Sequence, residues 1–309
     1  MNKSWKYGLF LSLSIASIEL ITIFVFKLLT LNIRFFSFLS SLILVLLVAI
    51  SSAIISILVI NTVPYFKKFL LQHRSLIRFQ SLSHPLLVQL SIEAPGTYHH
   101  SLTVGNLAYK AARSINADAM LARVGAYYHD IGKLKDPFVF IENKKTLDEA
   151  IKLKSLTEIK KMANLIISHV EYGLYLAKNN NIPIDIMTFI AEHHGTTLAI
   201  YFYDEAKKID SSIEKKYFCY AGPKPLTRET AIVMLADAIE AKIRLCQNIN
   251  VEEISIIIDE TIEQRLKEKQ LELSGLNHYD ITKIRQAFID ILSSIHHQRI
   301  NYKDAKSRN

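Results

Sequence analysis

His129 and Asp130, inside Ala126-Tyr-Tyr-His-Asp-Ile-Gly-Lys133, set an imidazole and a carboxylate side by side. Of the eleven histidines, His99, His100, His129, His169, His193 and His194 all fall within residues 99–194. Packing has no use for so many imidazoles in one region, because each buried polar ring must find a partner. Imidazole nitrogens and carboxylate oxygens suit borderline divalent ions such as manganese, iron or zinc, and one carboxylate can bridge two ions. Asp130 is the candidate bridge. His193 and His194 leave their helix about 100 degrees apart, so they cannot both be simple core residues. A His-Asp dipeptide alone is a weak signal, but in this company it points to a metal-dependent phosphohydrolase. The scattered His84, His278, His296 and His297 read as ordinary packing or surface residues.

The elements that must position these side chains read as helices joined by short punctuated loops, with no sustained alternating run that would require a sheet. The expected fold class is therefore all-α. Pro95-Gly96 opens a helix whose face carries Leu102, Leu107 and Ala111 together with Tyr98-His99-His100-Ser101. An apolar helix is expected from Ala119 to Asp130, ending at Gly132, so that His129 and Asp130 lie at its end. A long helical stretch follows that contains His169 and breaks at Asn181 to Pro183. The next helix runs from Asp185 to His194 and is closed by Gly195, with Thr196 able to cap its successor. Gly222-Pro-Lys-Pro225 forms a loop before a helix from Arg228 to Cys246, and a last helical pair reaches Arg299.

The 309 residues suffice for one substantial domain and something smaller. Residues 7–29 and 35–63 are almost wholly apolar, and each exceeds the roughly 20 residues that a helix needs to cross a bilayer. They read as a two-helix transmembrane hairpin, the first run being too long for a cleaved leader. Lys3 and Lys6 precede the hairpin while Lys67, Lys68, Arg74 and Arg78 follow it, which places both ends and the remaining domain in the cytoplasm. Glu19, in the first span, is expected to pair with Ser51 or Ser52 of the second. The expected organisation is a hairpin over 1–64, a linker helix over 65–80, a catalytic domain over 81–300 and a tail over 301–309. The net charge of +8 comes from scattered lysines, without the aromatic-interleaved basic stripe that would indicate a specific nucleic-acid partner. Cys219 and Cys246 form no Cys-x-x-Cys unit and suit a reducing compartment.

Four stretches carry a resemblance to a known family: Leu90-Ser-Ile-Glu-Ala-Pro-Gly-Thr-Tyr-His-His-Ser-Leu102, Leu121-Ala-Arg-Val-Gly-Ala-Tyr-Tyr-His-Asp-Ile-Gly-Lys133, Glu192-His-His-Gly-Thr-Thr-Leu198, and Gly222-Pro-Lys-Pro225 with Met234-Leu-Ala-Asp237. They closely resemble the membrane-bound HD-domain hydrolases of the PgpH type, bacterial cyclic di-AMP phosphodiesterases. The resemblance covers residues 75–300 and implies an HD-domain helical bundle anchored in the bacterial cell membrane. It also implies a two-metal site of His100, His129, Asp130, His169, His193, His194 and Asp237, holding manganese or iron. His99 is then a positioning partner or substrate contact, and Lys133 a charge for a phosphate oxygen.

The activity implied is hydrolysis of cyclic di-AMP to 5'-pApA by a metal-activated hydroxide, with His129, Asp130 and Lys133 as the catalytic set in second-messenger signalling. A homodimer is compatible with this reading. The chain departs from the family's pattern in supplying only a hairpin before the domain, and in replacing an expected Asn-Pro-His-Asp turn by Lys144-Lys-Thr146 and a lysine-rich run to Lys161. Two alternatives stand beside it: an HD-superfamily phosphohydrolase acting on another nucleotide or RNA, and a silent membrane-bound nucleotide sensor. Gly195-Thr-Thr-Leu198 after the histidine pair lacks the Gly-Tyr-Pro element expected of a cyclic di-GMP enzyme.

Overall fold

The computed structural model describes residues 78–143, 155–246 and 249–304, with Leu76 and scattered positions before it. The expected hairpin and linker helix, the lysine-rich segment up to residue 154 and the end of the tail lie largely or wholly outside the described residues. No helix among the described residues is long and apolar enough to cross a membrane. The chain divides into two compact units, Met1–Ser75 and Leu76–Asn309, and the second carries every candidate site residue.

Within Leu76–Asn309 the described residues form helices α1 (Pro85–Glu93), α2 (Pro95–Ser114), α3 (Ala119–Tyr128), α4 (Leu156–Ile167), α5 (His169–Asn179), α6 (Ile184–Glu192), α7 (Ile200–Ile209), α8 (Arg228–Arg244), α9 (Val251–Lys267) and α10 (His278–Asp304). Short 3-10 turns lie between them, including Ile131–Lys135 and Ile141–Asn143. The all-α expectation holds among the described residues, where the sole pairing is an isolated antiparallel bridge between Leu198 and Cys219.

Each boundary has a local cause. Pro85 and Pro95 stand at the first turns of α1 and α2, where a missing N–H costs nothing. Asp118 caps α3 by accepting from Leu121 N, and reciprocal capping boxes open α4 (Ser155 with Glu158), α8 (Thr227 with Thr230) and α9 (Asn250 with Glu253). His84 is a satisfied packing residue: its Nδ1 accepts from Leu86 N at 3.4 Å, and its ring sits against Phe79 and Tyr128.

Three boundaries differ from the sequence reading. Helix α3 stops at Tyr128, not Asp130, because the chain turns through Ile131–Lys135 immediately after the His-Asp pair. The long helix around His169 is divided at Ser168, so His169 opens α5. Thr196 does not cap α7, whose N-cap is Ala199; its N–H instead donates to Gln270 Oε1 at 3.0 Å.

Helices α2 and α3 approach through small residues, Ala108, Ala111, Ala112, Ala122 and Ala126, all fully buried. They join α6, α8, α9 and α10 in one core with Leu107, Phe189, Ile232, Leu235, Ile258 and Phe288. A second core, with Leu86, Tyr128, Ile131, Ile186 and Ile190, backs the His-Asp turn. Helix α8 is buried nearly all round from Thr230 to Glu240, as a central bundle helix must be. Two of its acids, Asp237 and Glu240, are therefore withdrawn from water and need partners.

Gly132 fixes how the His-Asp turn meets α5. A Cβ there would lie 1.8 Å from His169 O and 2.6 Å from Gly173 N, both backbone atoms that cannot swing aside. Gly132→Ala is expected to destabilise the unit by about 3 kcal/mol through overpacking and to part Asp130 from His169. Chemical denaturation and metal content of the purified variant check this; wild-type values in both would refute the packing argument.

Candidate metal centre

Asp130 Oδ1 lies 3.3 Å from His169 Nε2 and 3.6 Å from His193 Nε2. Its other oxygen, Oδ2, lies 3.2 Å from His129 Nε2 and 3.6 Å from His100 Nε2. One buried carboxylate thus turns one oxygen to each half of the cluster. Ligand atoms of Asp130, His169, His193 and His194 fall within 4.8 Å of one another, as do those of His100, His129, Asp130 and Asp237. All seven residues expected from the sequence meet here, from α2, the end of α3, the start of α5, the end of α6 and the middle of α8.

The imidazoles are oriented by their other nitrogens. Nδ1 of His129, His169 and His193 donates to the carbonyls of Ala126 (2.7 Å), Ile166 (2.6 Å) and Ile190 (3.0 Å). With Nδ1 protonated, a ring in its neutral form turns an Nε2 lone pair inward, the state needed in a metal ligand, which His129 reaches only on losing its second proton. Nε2 of His169 and Nε2 of His193 stand 3.2 Å apart, an arrangement in which two inward lone pairs repel unless a cation lies between them. His129 Nε2 and both oxygens of Asp130 are fully buried without a well-aligned hydrogen bond, although Lys133 Nζ approaches Asp130 Oδ2 to 2.7 Å. Buried, converging imidazole nitrogens and carboxylate oxygens with poorly aligned partners are what a bound cation would satisfy, so this cluster can hold metal ions.

The charges fall into two halves. Burial would raise the Asp130 carboxyl, but His129 and Lys133 hold it well below the usual carboxylate range. Asp237 is likewise held far down against burial by His100 and His129. Burial alone would lower the pKa of His100 and His129, yet the surrounding acids win: His100 is raised by Asp237 and Glu240, and His129 is pushed up to about 10 by Asp130 and Asp237. In the other half, burial and the neighbouring imidazoles push His193 down and His194 well down.

Around the centre runs a chain of alternating charge. Lys133 Nζ bridges Asp130 Oδ2 at 2.7 Å and Glu142 Oε1 at 2.6 Å. Arg244 lies 3.9 Å from Glu142 and 3.8 Å from Glu240, and Glu240 accepts from His100 Nδ1. Against its burial, Lys133 is held charged by Asp130 and Glu142. Glu142 is fixed in turn, since Thr97 Oγ1 donates to it and Thr97 N donates to the adjacent Asn143.

The sequence reading gives His99 a positioning or substrate role; the residue that bonds His100 Nδ1 is Glu240. His99 is exposed, edge-on to Tyr98, and its ring makes no hydrogen bond or ion pair with the cluster among the described residues. Glu142, Glu192, Tyr220, Glu240 and Gln270 were not singled out for roles at the site. Glu240 was findable, being three residues after Asp237 on the same helical face. Glu192 accepts from Leu226 N at 2.9 Å, tying the Gly222-Pro-Lys-Pro225 loop to the end of α6. Tyr220 and Gln270 carried no local signal.

A cation entering this centre must displace the protons shared between the acids and His100 and His129. Since His129 holds its proton up to about pH 10 in the ion-free protein, metal affinity is expected to rise with pH across the range 6 to 9, each binding event releasing protons. Manganese titrations in buffers of different ionisation enthalpy measure the release. Affinity flat with pH and no released proton would refute this assignment of charge.

The HD domain family model matches residues 97–242. The chain is 36% identical over 267 residues to the cyclic-di-AMP phosphodiesterase PgpH of Bacillus subtilis (strain 168), covering 86% of this chain and 37% of that protein. It is 37% identical over 252 residues to PgpH of Listeria monocytogenes, covering 81% of this chain and 35% of that one. The chain thus spans well under half the length of these curated relatives. A crystal structure of the L. monocytogenes PgpH HD domain in complex with cyclic-di-AMP matches with a TM-score of 0.65 and 37% identity, covering 69% of this chain and 98% of that one. With the match spanning nearly the whole of that domain, this chain belongs to the HD-domain family, in the branch formed by the PgpH proteins.

Proposed function

We propose that the Leu76–Asn309 unit is a metal-dependent phosphodiesterase that hydrolyses cyclic di-AMP to 5'-pApA with two divalent cations, manganese or iron. The observation that carries this reading is Asp130, whose two oxygens each face a separate set of ligand atoms. Its companion is the likeness to a PgpH domain that itself binds cyclic-di-AMP.

When bound, the two cations supply an activated water and positive charge at the phosphodiester. The chain's own residues hold the geometry. His129, His169 and His193, locked through Nδ1, keep their Nε2 atoms fixed, so little reorganisation accompanies reaction. Asp130 and Asp237 remain ionised to balance the cations. Lys133, held on Asp130 and Glu142, adds a fixed positive charge beside the centre for a phosphate oxygen. His99, exposed beside His100, is left as a contact for parts of the substrate outside the buried centre.

For the organisation of the chain, we propose a membrane hairpin over 1–64, a linker helix over 65–80, the phosphohydrolase domain over 81–300 and a tail over 301–309. The apolar runs 7–29 and 35–63 and their flanking lysines support anchorage in a bacterial cell membrane with this domain in the cytoplasm. A homodimer would suit such an anchored unit.

The purified chain, supplied with manganese, should convert cyclic di-AMP to pApA, while cyclic di-GMP, pApA and deoxynucleoside triphosphates are turned over slowly or not at all. Exclusive cleavage of one of the others, or of RNA, would overturn the substrate, and nucleotide binding without any cleavage would indicate a sensor. Asp130→Ala should lower turnover by more than about 100-fold, since losing even an outer partner of a metal site costs 10–100-fold. Normal turnover in that variant, if folded, would remove the two-ion mechanism.

A further inference from the structure

We infer that Tyr220 is the positioning residue for His194, its ring serving as the platform that holds this imidazole in place for a cation. His194 is the exception among the clustered histidines. Nδ1 of His129, of His169 and of His193 bonds in each case to the carbonyl three residues earlier, and His100 Nδ1 is held by Glu240. No hydrogen bond holds the His194 ring among the described residues; its nearest acid, Asp237 Oδ2, is 3.9 Å from Nδ1, beyond hydrogen-bond reach. Helix α6 ends at Glu192 and the chain turns at Gly195, with φ of +53°; His194 lies in that turn, and its ring makes no bond of the kind its neighbour makes to Ile190 O.

The aromatic contact from outside the cluster is Tyr220, whose ring lies nearly parallel to His194 with centroids 4.1 Å apart and planes at 27°. The other rings beside it, His193 at 4.0 Å and His169 edge-on at 5.1 Å, are themselves candidate ligands and cannot serve as an independent support. Tyr220 is well anchored for the task. Its N–H donates to Thr197 O at 3.0 Å, and Ala199 N donates to Phe218 O at 2.8 Å. Leu198 and Cys219 form the bridge between these segments, and Phe218 is fully buried. The same backbone that leaves His194 therefore returns to pin Tyr220 over it. A flat ring face restricts imidazole rotation without needing a donor, and outer partners that fix a ligand's orientation govern metal affinity. The hydroxyl plays no part in this role.

The inference rests on the two-ion reading, and calorimetric titration of the purified full chain with manganese tests both. Wild type and Tyr220→Phe should each bind two ions with dissociation constants within about twofold of one another. Tyr220→Leu, which keeps bulk but lacks the flat face, and Tyr220→Ala should weaken one ion by about 10- to 100-fold. The other ion, in the His100, His129, Asp130 and Asp237 half, should stay near its wild-type affinity. Circular dichroism of the ion-free proteins checks folding, and if the alanine variant unfolds the leucine variant decides. Two tight ions in Tyr220→Leu, loss of an ion in Tyr220→Phe, or loss of both ions in Tyr220→Leu would overturn the inference. Fewer than two ions in the wild type would overturn the two-ion reading instead.

Discussion

A single carboxylate removed from water sets the terms for the rest of this unit. Asp130 is 1% exposed, and an ionised carboxylate in such surroundings is tolerated only when paired. The fold gathers four imidazoles within 3.6 Å of its oxygens and one lysine at 2.7 Å. Those partners come from segments far apart in the chain, so compensating Asp130 requires α2, α3, α5, α6 and their loops to converge. The same convergence creates the metal-ready site. Stability and chemistry here are two descriptions of one electrostatic requirement.

Convergence is possible because the backbones come close. Alanines line the contact of α2 with α3, and Gly132 lets the His-Asp turn lie against the first turn of α5, where even a methyl group has no room. On the far side, Gln270 grips Thr196 through its amide. A Cβ on Gly195 would strike that Gln270 side chain at 2.4 Å. The segment after α9 thus braces the turn that follows His193 and His194. The hydrophobic cores fix the ends of the helices from which the ligands project.

Much of this was readable from residue types and spacing. The histidine cluster, the central place of Asp130 in it, the all-helical class and the placement of His129 at a helix end all followed from local pattern. What was not readable involved partners chosen in three dimensions. Glu240 holds His100 because α8 is central, so this withdrawn acid needs partners and finds them in His100 and Arg244. The split at Ser168 and the early end of α3 escaped notice because helical periodicity runs on through a turn that only tertiary packing imposes. Tyr220 and Gln270 act from loops, where no periodicity exists to mark them. Thr196 looked like a cap by residue type, but its N–H was already committed across 74 positions to Gln270.

The two halves of the centre are chemically unlike although they share a carboxylate. On the side of Asp130 Oδ1, His193 and His194 are both pushed down by burial and by neighbouring imidazoles, His129 and His169 for the first, His193 and His169 for the second. Around Oδ2, against burial, Asp237 and Glu240 push His100 up, and Asp130 and Asp237 push His129 up. A cation approaching the first half meets free lone pairs, whereas one approaching the second must first displace protons. The ring of Lys133, Glu142, Arg244 and Glu240 lies on that second side. There it alternates sign from residue to residue, so a proton leaving His100 or His129 changes the balance of a connected set rather than of one isolated pair. A bridging carboxylate with unequal surroundings at its two oxygens can therefore bind both sites while giving each its own dependence on pH.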